Sequence, residues 1–210
     1  MKKIKIICLL FGLIGYGATV NAQSNLTIEA SSLYTSFNFT DSQGNNLNDE
    51  YSGIFTGTYG MGYRYISMDG IIINAGVNMR KGGAIMEYDA MNYSWDLQYA
   101  DARAGIGYMY PLDIINPYLS VSGYFAYMLR GFQTINNENF NIKKSGSLKN
   151  TDFGILVKPG VQITLSEAVS TYLEFNYLMG LGNIESDEGQ TANNVAYGLS
   201  LGISFSITNN

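Results

Sequence analysis

Eight charged residues are candidates for chemistry, because each stands in a segment that otherwise consists mainly of apolar, aromatic and small residues. They are Arg64, Arg80, Asp101, Arg103, Arg130, Asp152, Lys158 and Glu174. If such side chains share one interior they must pair, because a buried charge without a partner is strongly destabilising. Two functions are open for the set: a structural network of ion pairs, and a path for protons or small solutes.

The composition argues against an enzyme and against a metal centre. The chain contains no His, and its single Cys is Cys8. Acyl transfer and lipid cleavage usually rely on a His base that titrates near neutral pH, and zinc sites use Cys or His ligands. Acidic neighbours such as Asp187 and Glu188 lack the spacing of a calcium-binding loop, and we interpret them as solvated. We therefore expect no catalytic residue, no cofactor and no metal site.

The elements that would position the charged residues are β-strands with two unlike faces. Between Val195 and Ile207 every second residue is apolar or aromatic, and the residues between them are Ala, Gly or Ser. This period of two indicates a strand. A crowded interior suits the small face and lipid suits the large apolar face, as in a transmembrane β-barrel. An inner-sheet strand of a soluble sandwich would show the same alternation and is the alternative.

Seven further segments fit the same pattern, and the connections between segments alternate in length. The predicted strands cover roughly residues 26–39, 51–65, 71–88, 93–108, 118–132, 152–165, 169–181 and 195–207. Such connections are typical of a membrane barrel with long loops outside and short turns in the periplasm. The sequence therefore predicts an all-β fold, an eight-stranded antiparallel up-and-down transmembrane β-barrel whose interior is wide enough only for side chains.

Local irregularities interrupt the alternation. The pattern slips near Ser31–Leu33, and a change of phase in the fourth strand predicts a β-bulge at Gln98–Ala100. Pro159 has no N–H for a strand ladder, so a second bulge is predicted at Lys158–Gly160. With these phases the eight charged residues face the interior, and Trp95 belongs to an aromatic girdle at the external membrane boundary.

Residues 1–22 have the features of a secretory signal peptide that precedes the barrel. Three Lys residues are followed by an apolar run, and Ala22 ends a site of the kind that a signal peptidase cuts. Cleavage is predicted between Ala22 and Gln23, which leaves residues 23–210 as the outer-membrane barrel domain. The chain has 12 Lys and Arg against 17 Asp and Glu, and this acidic balance argues against nucleic acid as a partner.

Four short motifs carry a resemblance to a known family. They are TDFGI at 151–155, YLMGLGNI at 177–184, YGLSLGISF at 197–205 and NMRKG at 78–82. They are similar to landmarks of the outer-membrane β-barrel domain family, the porin-family or PorT-like small barrels of Gram-negative bacteria. The resemblance implies an eight-stranded barrel in the cell outer membrane and no shared activity. It also implies a terminal aromatic residue as the insertion signal. Phe205 is the candidate, and Ile207 is the alternative because Ser206–Asn210 follow Phe205.

The sequence thus predicts a small integral outer-membrane protein whose barrel is a scaffold and whose outer loops carry recognition. The loops at 133–150 and 183–194 are the main candidates. Porin-like passive passage of small solutes is one alternative, and an accessory role in envelope assembly or secretion is another. The expected partners are outer-membrane lipid and the barrel-insertion machinery. We expect a monomer, and the sequence names no partner for the loops.

Overall fold

The computed structural model describes residues 23–88, 90–112 and 114–207. The predicted signal peptide, and with it Ala22 at the predicted cleavage site, lies outside these residues, whereas Gln23 is the first residue of the first strand. No helix in the described ranges is long and apolar enough to cross a membrane.

The described chain is built from ten β-strand segments and two short helical turns. The strands are β1 (Gln23–Thr40), β2 (Tyr51–Ile66), β3 (Ile71–Gly82), β4 (Ala84–Tyr88), β5 (Met91–Met109), β6 (Ile115–Ile135), β7 (Glu138–Phe140), β8 (Thr151–Thr164), β9 (Val169–Gly180) and β10 (Thr191–Ser206). A 3-10 turn covers Asn48–Glu50, and one α-helical turn, α1, covers Ile142–Ser145.

Antiparallel pairing closes these segments into a ring. β1 pairs with both β2 and β10. β3 and β4 follow each other along one strand position of the ring, and each of them pairs with β2 on one side and β5 on the other. β6 pairs with β5 and β8. β7 only extends β6 beyond the ring. The ring therefore has eight strands, which confirms the predicted fold class. We call the end with the short connections 67–70 and 165–168 the turn end, and the opposite end the loop end.

The two faces of the strands divide as the alternation predicts. On β10 the side chains of Leu199, Leu201 and Ile203 point outward and are 45–62% exposed, while Ser200 and Ser204 are buried. A closed ring satisfies the backbone polar groups of its strands, so its apolar outer belt suits a lipid environment. The small inner face provides clearance: a Cβ added at Gly202 would collide with the ring of Tyr172.

Two predicted changes of phase in the early strands are wrong. β1 pairs with β10 and with β2 without a register shift, and its apparent slip arises because the apolar side chains of Leu33 and Phe37 point inward. β5 also keeps one phase, so that Leu97 and Tyr99, which the predicted phase change placed outward, are fully buried inside. Both errors come from apolar residues that fill the interior and look like lipid-facing ones.

A bulge does exist at the predicted height, but it belongs to the neighbouring strand. The pairing of β5 with β6 shifts between Gln98 and Tyr99, whose partners are Arg130 and Met128. The extra residue is therefore Leu129 of β6. At Pro159 no bulge occurs: β8 keeps its register with β6, and its pairing with β9 is only interrupted before it resumes in the same register. A missing ladder contact is enough to accommodate the proline.

Two apolar clusters lie inside the barrel, one towards each end. The cluster at the turn end consists of Ile66, Ile72, Met109, Tyr118 and Tyr172. The larger cluster, which we call the mouth cluster, includes at the loop end Leu33, Phe37, Ala84, Leu97, Tyr99, Met128, Ile142, Leu148, Leu178, Ile184 and Ala192. Trp95 packs on this cluster with its ring 5.9 Å from that of Phe37, so its predicted place in an outer aromatic girdle is wrong.

Candidate functional site

A chain of charged side chains runs through the barrel from the turn end towards the loop end. Among the described residues, seven salt bridges join eight side chains in strict alternation of sign. In order these are Arg64, Glu174, Lys158, Glu29, Arg103, Asp101, Arg80 and Asp152. We call this set the lumen charge chain. Its four cations and four carboxylates balance, so the interior of the barrel carries no net charge from these groups.

The end of the chain nearest the turn end is held by Glu174. One oxygen of its carboxylate lies 2.7 Å from Nη2 of Arg64 and accepts a hydrogen bond from the Tyr118 hydroxyl at 2.5 Å. The guanidinium of Arg64 also lies 4.5 Å from the ring centre of Tyr172. Glu174 is fully buried, and its other oxygen contacts Nζ of Lys158. The carboxylate therefore neutralises two cations at once.

The middle of the chain is carried by Glu29, which also contacts two cations. Lys158 lies 2.9 Å from one of its oxygens, and Arg103 lies 3.3 Å from the other. Arg103 then reaches Asp101 at 3.0 Å. A small cavity beside this segment is lined by Glu29, Arg103 and Lys158 together with uncharged polar side chains, among them Ser122.

The end nearest the loop end is centred on Arg80. Its guanidinium contacts Asp101 and Asp152 at 3.0 Å each and lies 4.6 Å from the ring centre of Tyr99. Asp152 accepts further hydrogen bonds from Tyr124 at 3.1 Å and from the side-chain amide of Asn194. Charge-assisted hydrogen bonds of this kind fix side-chain geometry, so the segment directly below the mouth cluster is rigidly packed.

Of the eight residues predicted to face the interior, the structure brings together all but Arg130. Because the extra residue Leu129 changes the phase of β6, Arg130 lies exposed on the outer face, 5.5 Å from the ring centre of Phe132. The prediction of an interior Arg130 is therefore wrong. Glu29 was missed, because the apparent slip in β1 concealed its inward phase. A continuous count of every second residue from Asn25 to Thr35 would have placed Glu29 inside.

The connections at the loop end form a roof over the mouth cluster. α1 contributes Ile142, the following connection contributes Leu148, and the β9–β10 connection contributes Ile184, all buried. The amide of Lys149 donates to the carbonyl oxygen of Ile184 at 2.7 Å. The two loops named as candidates for recognition therefore contact each other, and their buried residues belong to the same core as the barrel interior.

Glu185 stands in this roof beside the aromatic side chains. It lines a cleft with Phe37, Tyr51 and Trp95. Burial raises the pKa of the Glu185 carboxyl above its ordinary value, the negative charge of Asp187 acts in the same direction, and backbone N–H groups act against both. The positive charge of Lys149 also acts against the rise, and the net effect is that the cleft favours protonation of Glu185 more than water does.

The predicted insertion signal lies at the turn end of the last strand. Phe205 pairs with Leu26 of β1 and Val169 of β9 and is 40% exposed on the outer face. Ile207, the alternative, follows the end of β10 and is also exposed. Both side chains face outward, and which of them directs insertion stays a prediction.

Comparison with solved structures identifies the architecture. The chain is similar to Neisserial surface protein A, with a TM-score of 0.55 and 14% identity over 89% of this chain and 99% of that one. It is also similar to outer membrane protein OprG from Pseudomonas aeruginosa, with a TM-score of 0.50 and 11% identity over 90% and 98%. No protein-family profile matches the chain, and no curated protein matches it. The fold is that of the small outer-membrane β-barrels.

Proposed function

We propose that this chain is an outer-membrane protein of a Gram-negative bacterium and that its barrel is a closed scaffold for recognition at the loop end. The outer apolar belt and the barrel fold support the location. The lumen charge chain carries the proposal of a scaffold, because paired charges that cross the interior between two apolar clusters leave it filled by side chains. The finer resemblance to porin-family or PorT-like proteins remains a prediction, as does the absence of enzymatic activity.

The surface most suited to recognition is a four-stranded sheet at the loop end of the ring. It consists of β4, residues 91–97 of β5, residues 131–135 of β6, and β7; we call it the projecting sheet. Ile85, Tyr88 and Phe140 are 43–57% exposed on it. Exposed apolar groups that gather outside the membrane belt are typical of protein interaction sites.

The tip of the projecting sheet is a tight turn at Asn136 and Asn137, both with positive φ. Replacing residues 134–139 with an Asn-Gly turn would shorten it without disturbing the pair Gln133 and Phe140. We expect the shortened protein to insert, shown by heat-modifiable gel migration, yet fail to restore any surface phenotype of a strain that lacks the protein. Met68→Ser at the turn end serves as the control. Full restoration by the shortened protein would contradict a role for this sheet.

Passage of solutes is the second candidate, because the cavity beside Glu29 and Arg103 is polar. Planar-bilayer recording of the refolded protein separates the two. A filled interior predicts no stable channel under conditions in which a general porin conducts. Stable, long-lived openings of the unmodified protein would overturn the proposal of a closed scaffold.

A further inference from the structure

The cations outside the lumen charge chain are all found in one sector of the barrel. In the described part of the chain they are Lys81, Arg130, Lys143, Lys144 and Lys149. None of them forms a salt bridge with another described residue. They belong to β3, β6 and the β6–β8 connection, in a protein with an overall excess of acidic residues. Positive charge outside salt bridges is therefore concentrated in this sector.

Two of these cations form a row across the outer face of three neighbouring strands. Lys81 of β3 is the pairing partner of Gln98 of β5, and Gln98 is the partner of Arg130 of β6. Paired residues share a face of the sheet, and neighbouring strands are about 4.8 Å apart, so the Lys81 and Arg130 backbones lie about 10 Å apart. Lys81 and Arg130 are exposed.

Lys143 lengthens the row from the loop side. Its ammonium donates to the carbonyl oxygen of Leu129 at 3.1 Å and lies 5.0 Å from the ring centre of Tyr127. Leu129 and Tyr127 are exposed on the outer face of β6. Lys81, Gln98 and Arg130 thus share one row on the outer face of β3, β5 and β6, and Lys143 adjoins that row on β6; we call these four residues the cation row.

The cation row lies at the upper limit of the apolar belt. Below Gln98, β5 presents Ala100, Ala102, Ala104, Ile106 and Tyr108 outward, and the next outward residue above Gln98 is Asp96. Between Ala100 and Tyr108 the strand rises about 21 Å along the barrel axis, given about 3.4 Å per residue and a tilt of about 40°. This height is close to the apolar band of outer-membrane barrels, about 25 Å, and lipid phosphates lie just beyond it.

The wall next to the row is shaped to receive a small group. A surface depression lined by Gly57, Tyr59, Met79, Arg80, Lys81 and Gln98 lies between β2 and β5. Gly57 contributes no side chain to it, and Lys81 and Gln98, both members of the cation row, are among the residues that line it. Directly below, the outward side chains of β5 are the small methyl groups of Ala, so an acyl chain can lie close against the sheet.

From this geometry we infer that the cation row binds the phosphate headgroup of an anionic lipid in the leaflet at the loop end. Lys81, Arg130 and Lys143 supply the charge, Gln98 supplies a neutral donor, and the apolar belt below holds the acyl chains. Asp96 borders the site on the side away from the membrane, where its carboxylate opposes an anion that would approach from water. This lipid site is independent of what the projecting sheet recognises.

The test measures lipid retention by native mass spectrometry of the full-length refolded protein, taken from nanodiscs of phosphatidylcholine with phosphatidic acid. We expect the protein to retain phosphatidic acid selectively and Lys81→Gln/Arg130→Gln to lose it by about thirtyfold, from about fivefold per cation near a membrane surface. Lys144→Gln/Lys149→Gln removes the same charge from the neighbouring loop and should retain lipid as the unmodified protein does. Heat-modifiable migration shows that all variants are folded.

Three results would overturn the inference. Equal retention by the two double variants would mean that the row is not the site, and equal retention of phosphatidylcholine would mean that charge is not recognised. If an equal concentration of inorganic phosphate displaced the lipid, the row would be a site for free anions and not for lipid.

Discussion

The order of charges along the lumen charge chain predicts which single neutralisation is most harmful. Among residues 23–88, 90–112 and 114–207, Arg64 has one carboxylate partner, Glu174, so Glu174→Gln leaves the buried Arg64 guanidinium without a counter-ion from this set. Glu29 also bridges two cations, but both keep another partner: Lys158 keeps Glu174, and Arg103 keeps Asp101. Glu29→Gln therefore makes the same chemical change and the same change in net charge without isolating any cation.

The expected loss of stability depends on which charges each substitution leaves without a partner. Breaking a buried pair so that one charge is uncompensated costs about 3–5 kcal/mol, and the Arg64 and Glu174 side chains are 7% and 0% exposed. Glu29→Gln takes one of two carboxylate partners from each of two cations, a loss of about 1.5–3 kcal/mol per charged hydrogen bond, towards the low end because the Glu29 side chain is 11% exposed. Glu174→Gln takes one of two partners from Lys158 in the same way and in addition leaves Arg64 uncompensated. We expect Glu174→Gln to be more destabilising than Glu29→Gln by about 2 kcal/mol.

The assay is reversible urea unfolding of the protein refolded into phospholipid vesicles, followed by gel migration of the folded form. The midpoint should fall further for Glu174→Gln than for Glu29→Gln, with similar slopes. Combining Arg64→Met with Glu174→Gln should recover part of the loss, because it removes the isolated guanidinium and leaves the other six charges in alternation. If Glu29→Gln proves as costly as Glu174→Gln, or if the double variant is less stable than Glu174→Gln, reasoning from the order of charges fails.

Two further predictions concern the outer face and the roof. Leu201→Arg puts a charge in the middle of the apolar face of β10 and should lower the free energy of unfolding by about 2–4 kcal/mol in the same assay. Asn38→Arg, at an exposed position of β1 near the loop end, serves as the control and should lower it little. Equal losses of stability would contradict a lipid belt. Because burial raises the pKa of Glu185, packing of the roof should be strongest below the ordinary Glu pKa of about 4.3 and weaken as pH rises through the raised value. Emission of the single Trp95 should follow this titration in the unmodified protein and lose it in Glu185→Gln, and persistence of the change in that variant would assign it to another group.

The barrel was predictable from sequence because large apolar side chains alternate along the outer face of most of its strands. Alternation on β10 and on β3 requires only that lipid accepts large apolar side chains, a property of the environment and not of particular neighbours. The interior follows no such rule. Leu97 and Tyr99 are apolar and face inward because they meet side chains from other strands in the mouth cluster, and no local pattern along β5 separates that case from contact with lipid.

The same limit explains the two errors in the predicted charged set. Arg130 lies on the outer face because its own strand, β6, contains the extra residue Leu129. The sequence pattern had predicted the irregularity in the partner strand β5. Glu29 was concealed by Leu33 and Phe37, two apolar residues with an inward phase. In both cases the charged residue is apparent in the sequence, but whether its side chain faces inward depends on how its strand pairs with the neighbouring strands.

The lumen charge chain also constrains how the barrel can assemble. Glu29 and Lys158 meet across the interior from β1 and β8, strands that are not neighbours in the ring. Their ion pair requires the sheet to have curled, and a slip of one residue in β1 would turn Glu29 towards lipid. Correct pairing of all eight charges is thus reached only on closure, so the network discriminates against misregistered barrels. A half-assembled sheet would carry unmatched charges, which favours keeping it in a hydrated environment until the first and last strands join.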